Sequence, residues 1–137
     1  PSVLIRHLGH LPRRLLLFVG NVDAARQTVR TLRSQTDYNR SWPGTLDDLT
    51  PEARVMREVV DAVRVQKPFG SIDIHNNSGH NPHYACVNRR DDRYVQLARL
   101  FSRTVVYFER PLGVQSAALS QLCPSVTVEC GLAGGPE

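Results

Sequence analysis

An α/β fold with a mixed, largely parallel central sheet flanked by helices is predicted by three features of the chain. Short apolar runs alternate with longer amphipathic ones, as strands alternate with crossover helices. Pro or Gly brackets several of the short runs and punctuates the chain into elements. The length, 137 residues, suits a single domain able to bury a core.

Taken in order, the opening residues Pro1 to His10 read as a helix entered midway. Leu15 to Val19, closed by Gly20, is expected as the first strand, with a helix from Asp23 to Leu32 after it. Thr50 is the expected N-cap of a helix from Pro51 to Val65, because its hydroxyl can accept from a first-turn N–H. Ser71 to His75, introduced by Pro68 and Gly70, is the second strand, and Thr104 to Phe108 the third. Asp91 to Ser102 and Val114 to Leu122 carry helical periodicity, and Val126 to Cys130, between Pro124 and Gly131, is the fourth strand. Thr36 to Leu49 and Asn76 to Asn88 are rich in Asn, Gly, Pro and Ser and are expected as loops, long enough to hold a site.

Composition excludes more than it names. Apolar residues make up 41% and charged residues 22%, ordinary for a soluble domain, and no run approaches the roughly 20 apolar residues of a bilayer span. No membrane partner is expected. The net charge of +4 comes from basic residues scattered among Asp and Glu, without a stripe alternating with aromatics, so nucleic acid is not an expected partner either. The three cysteines form no Cys-x-x-Cys pair, which argues against a disulfide framework or a structural zinc cluster and for a reducing cytoplasm. Pro1 to His10 lacks the basic, apolar, small-residue order of a signal peptide.

Four local features carry candidate chemistry. The apolar strand Ile72-Asp73-Ile74 ends in His75, followed by Asn76 and Asn77. A buried parallel strand would aim its carboxyl end at the crevice where α/β proteins bind ligands. His75 is there either a hydrogen-bonded strand-end histidine or a zinc ligand, and the two accounts stay open on this feature alone. Asp37-Tyr38-Asn39-Arg40 places an amide beside a guanidinium, a pair able to hold a carboxylate, although a solvated turn has the same residues. Gly20-Asn21 with Arg30 beyond it is chiefly backbone chemistry. Glu129 lies in the apolar strand Val126-Thr127-Val128-Glu129-Cys130, where a carboxylate is costly to bury unless paired or working, and where it could serve as a general base.

The order of these motifs resembles the zinc metallocarboxypeptidase superfamily, in its succinylglutamate desuccinylase/aspartoacylase branch. Gly20-Asn21, then Arg30, then Asp37-x-Asn39-Arg40, then Asp73-x-His75-Asn76, then Pro124-x-x-Thr127-Val128-Glu129-Cys130-Gly131 follow that order, from about Val19 to Gly131. Asn81-Pro82-His83-Tyr84 is also similar to branch members. The resemblance implies a zinc-carboxypeptidase-like fold and a zinc-dependent hydrolase that cleaves an amide-type bond in a small acidic substrate bearing a carboxylate. It implies that His75 is a zinc ligand, Glu129 the base and proton shuttle, and Arg30 the oxyanion stabiliser. It further implies that Asn39 and Arg40 grip the substrate carboxylate and that Asp37 orients a ligand histidine. Arg30 and Asp37 stand two residues further apart than in the family pattern, which keeps Arg33 as a rival for the oxyanion role.

The family's remaining zinc ligands come from a His-x-x-Glu motif upstream of Gly-Asn, and none precedes Asn21 here. The opening stretch Leu4 to Arg14 resembles the helix that follows that motif, and within it His7 and His10 lack a glutamate at the required spacing and read as helix residues. The chain is therefore expected to be an internal part of such a catalytic domain, lacking that segment and the C-terminal ones. A local alternative gathers His75, His80 and His83 around one metal. The competing function is a non-catalytic domain that keeps the fold and binds a carboxylate through Asn39 and Arg40. A nucleotide site finds no support, since no Gly-x-Gly-x-x-Gly or Walker pattern is present.

Overall fold

The structure, a computed structural model, describes residues 11–133. Strands β1 (Ser71–Asn77), β2 (Tyr84–Val87), β3 (Val105–Tyr107) and β4 (Ser125–Leu132) form one sheet in the order β1-β4-β2-β3. β1 runs parallel to β4 and β2 parallel to β3, while β2 and β4 are antiparallel, so the sheet is mixed. Helices α1 (Val22–Arg26), α2 (Pro51–Gln66), α3 (Asp92–Arg99) and α4 (Gln115–Leu119) surround it, with a 3₁₀ turn over Tyr38–Arg40.

α2 forms where its sequence says it should. The Thr50 hydroxyl accepts from the Ala53 N–H at 3.2 Å, and Pro51 occupies the first turn, where its missing N–H costs nothing. Ala53, Met56, Val60 and Val63 recur at three- and four-residue spacing and are buried. Lys67, left-handed at φ 47°, ends the helix just before Pro68. Thr50→Ala should lower the unfolding free energy by about 1 kcal/mol in a urea titration. An unchanged midpoint would show that the cap contributes nothing.

The two faces of the sheet meet different partners. On one, Ala85, Val87, Val126 and Val128 pack against Tyr94 and Ala98 of α3, residues one helical turn apart. On the other lies α4, whose Ser116 hydroxyl accepts from the Thr127 hydroxyl at 2.9 Å. Ala118 and Leu119 of α4 join Trp42, Met56, Val60 and Val63 in a second core that ties α2 to the sheet. No helix among the described residues is long and apolar enough to cross a membrane.

Several expectations are corrected. Leu15 to Val19 is not a strand: the run is extended but has no ladder partner among the described residues, and Leu17 and Val19 are both 64% exposed. Apolar content favours a strand, but only a partner's N–H and C=O groups make one. The helix expected from Asp23 to Leu32 stops at Arg26, because Thr28 takes a positive φ of 55°, rare for a β-branched residue. The expected loop Asn76 to Asn88 contains the end of β1 and all of β2. β1 is the outermost strand instead of a buried one, with Ile72 and Ile74 56% and 73% exposed. Leu11 to Arg14 are not helical, and the rest of the helix expected from Leu4, with His7 and His10, lies outside the described residues.

Candidate functional site

Strand alternation and register build the site. β1 and β4 pair His75 with Glu129 and Asp73 with Thr127, while β2 and β4 pair Tyr84 with Glu129 and Cys86 with Thr127. Two rows therefore cross three strands on one face: His75, Glu129, Tyr84, and below them Asp73, Thr127, Cys86. The intervening residues are apolar and occupy the α3 face. Beyond His75 the ladder slips, so that Asn77 pairs with Leu132 and β4 carries an extra residue. Gly131, at φ 80°, lies in that stretch and supplies the conformation that such a bulge requires.

His75 is held from both sides. Its Nε2 lies 3.1 Å from Asp73 Oδ2, and its Nδ1 faces Glu129 Oε1 at 3.7 Å. The Asn39 side-chain amide nitrogen lies 3.4 Å from the same Nε2. The hydrogen bond to Asp73 raises the imidazole pKa above its ordinary value; burial opposes it, and the charges of Asp73 and Glu129 reinforce it. Asp73 is tied further in: with its amide nitrogen turned inward, Gln115 donates to Asp73 Oδ1 at 2.9 Å.

The 3₁₀ turn delivers the cationic side. Asp37 caps it, its Oδ1 accepting from the Asn39 N–H at 2.8 Å. Its Oδ2 accepts from Arg30 Nε at 3.0 Å and Nη2 at 2.7 Å. The Asp37 carboxylate thus joins Arg30 to the Asn39 turn. Arg40 Nη1 donates to the Asn39 carbonyl at 2.6 Å.

These groups line one cavity of about 310 Å³. Arg30, Asn39, Arg40, His75 and Glu129 all face it, so the structure brings together five of the six residues singled out in the sequence. The sixth, Asp37, stands behind Arg30. Arg30 lines the cavity and Arg33 does not. His80 and His83 do not join His75: His83 stacks on Phe101 with ring centroids 6.1 Å apart. Among the described residues no group of three His, Cys, Asp or Glu is placed to hold a metal ion. With His75 Nε2 engaged by Asp73, one imidazole nitrogen remains for a metal, and a catalytic zinc needs three protein ligands. The described residues alone do not make a zinc site.

Two site residues to which the sequence assigns no role share a simple signal. Asp73 and Thr127 lie two positions before His75 and Glu129, and period-two alternation alone places them on the same face. Cys86 carries no such signal, because β2 lies in a tract whose Asn, Gly and Pro content predicts a loop. Burial, and then the Glu129 carboxylate, push the Cys86 thiol up to about 11. Its alkylation by iodoacetamide should therefore still climb about tenfold per pH unit between roughly pH 8 and 10, because the thiolate fraction rises that way below the pKa. A plateau near pH 9, followed by mass spectrometry, would contradict this. All three cysteines are unpaired.

Comparison of the chain with protein-family models, with curated proteins and with solved structures returned no match.

Proposed function

We propose that the protein is a hydrolase that cleaves an amide-type bond in a small acidic substrate carrying a carboxylate. The observation that supports this most directly is the Glu129 carboxylate, 15% exposed, opening into a cavity beside His75 and two arginines. In this reading Glu129 accepts a proton from the attacking water and returns it to the leaving nitrogen. Among the described residues Arg30 has no partner at Nη1 while Asp37 holds its other two nitrogens, so a fixed positive group faces the developing oxyanion. Asn39 and Arg40 hold the substrate carboxylate. Asp73 fixes the His75 ring through Nε2 and leaves Nδ1 toward Glu129.

Zinc, implied by the family resemblance, would polarise the scissile carbonyl and lower the pKa of a bound water toward about 7. It either takes its remaining ligands from outside residues 11–133 or does not bind. Hydrolysis of N-acyl amino acids, measured with zinc added and with chelator, tests the proposal; absence of turnover under both conditions would sink it.

The placement of Arg40 and Asn39 side by side in the cavity favours one second reading, a non-catalytic domain that binds a carboxylate through them. Zinc stoichiometry near zero, with carboxylate binding retained and no hydrolysis, would support that domain over the enzyme.

A further inference from the structure

From the charges around the cavity we infer that the site takes a substrate with a single carboxylate and an uncharged acyl group, and discriminates against dicarboxylates. This rests on the hydrolase reading and adds the substrate class to it. Two cations line the cavity, Arg30 and Arg40. They are not equivalent. Arg30 gives Nε and Nη2 to Asp37 Oδ2, at 3.0 and 2.7 Å, so its charge is largely compensated and only Nη1, which the hydrolase reading gives to the oxyanion, is left. Arg40 bonds only the neutral Asn39 carbonyl, and no carboxylate among the described residues pairs with it.

The anionic side is full. Asp73 and Glu129 flank His75 at 3.1 and 3.7 Å, and Glu129 itself faces the cavity. A substrate carboxylate on Arg40 therefore uses the one cation left uncompensated. A second carboxylate must approach Glu129 or pull Arg30 away from Asp37, and either route sets like charges together in a partly desolvated space. The rest of the wall carries no charge to receive it: Cys86, Phe108, Pro111 and Val114 are apolar or thiol, and Asn77 and Ser78 are neutral. A short uncharged acyl chain fits such a wall, and about 310 Å³ is the small end of the range for ligand pockets.

The test compares two ketone isosteres that the enzyme cannot hydrolyse, 4-oxoheptanoate and 4-oxoheptanedioate. They match in chain length and differ only in whether the acyl end is a methyl or a carboxylate. Affinities come from chemical-shift titration of the whole protein. The monoacid should bind at least about tenfold more tightly, the difference expected for one uncompensated like-charge contact. In Asp37→Asn, where the amide oxygen can still accept from the Asn39 N–H, Arg30 loses its counter-charge. The preference should fall to about threefold or reverse. Arg40→Gln should lose monoacid binding. Equal or tighter binding of the diacid by the unaltered protein overturns the inference and leaves the hydrolase reading standing. Binding of neither ligand, or monoacid binding indifferent to Arg40→Gln, removes the carboxylate site and overturns both. The first comparison needs no variant, so a failure of Asp37→Asn to fold does not protect the inference.

Discussion

Glu129→Gln is expected to lower kcat by about 10²–10⁴-fold, the range a positioned general base contributes, with KM little changed. The substitution keeps the size and shape of the side chain and removes only its capacity to take a proton. Its structural cost is small, because among the described residues the carboxylate is engaged only by the loose 3.7 Å approach to His75 Nδ1. The variant should therefore melt close to the unaltered protein while losing turnover. Turnover that survives at more than about a tenth of the original rate would assign the proton transfer to another group. Loss of ligand binding together with turnover would instead mark Glu129 as part of the binding surface. Separate measurement of kcat and KM distinguishes these results.

The chemistry of this site was more legible in the sequence than the sheet that carries it. A glutamate in an apolar strand, between Val128 and Cys130, and a histidine at the end of an isoleucine-rich strand stand out because burial of either needs a reason. Their relation was invisible, since pairing of His75 with Glu129 depends on a parallel register between segments more than fifty residues apart. The same limit explains Leu15 to Val19, whose composition suits a strand but whose backbone finds no ladder among the described residues. β2 failed in the other direction. Tyr84 to Val87 is four residues long and follows a turn-rich tract, too short for alternation to register, yet it is sandwiched between β4 and β3. At Thr28 local periodicity favoured continuing the helix, and the positive φ that ends it has no signal in a threonine. That break frees the chain to bring Arg30 to Asp37. The Tyr38–Arg40 turn was readable only as turn chemistry, because the value of Asp37 lies in joining two elements at once.

Gly113→Ala should destabilise the fold by about 3 kcal/mol and weaken carboxylate binding at the same time. Gly113 holds φ 75°, where an alanine is strained by about 1–2 kcal/mol. A methyl group there would also meet the Arg40 carbonyl oxygen at 2.5 Å and the Thr45 Cβ at 3.0 Å. The first neighbour is backbone and cannot rotate aside. Relief requires moving the Arg40 segment or the loop itself, and the Gly113 carbonyl accepts from the Trp42 N–H at 3.1 Å, so either movement disturbs a residue of the second core. In the proposed site Arg40 is the cation offered to a substrate carboxylate, so displacement of its backbone should be read out in affinity as well as in stability. Gly44→Ala is the control. Gly44 also has a positive φ, 102°, but a methyl group there would find nothing nearer than the Gly113 nitrogen at 4.0 Å. It carries backbone strain without the overlap, and should lower the melting temperature while leaving monoacid affinity unchanged. If both variants lose affinity equally, the link between the Gly113 contact and the position of Arg40 fails.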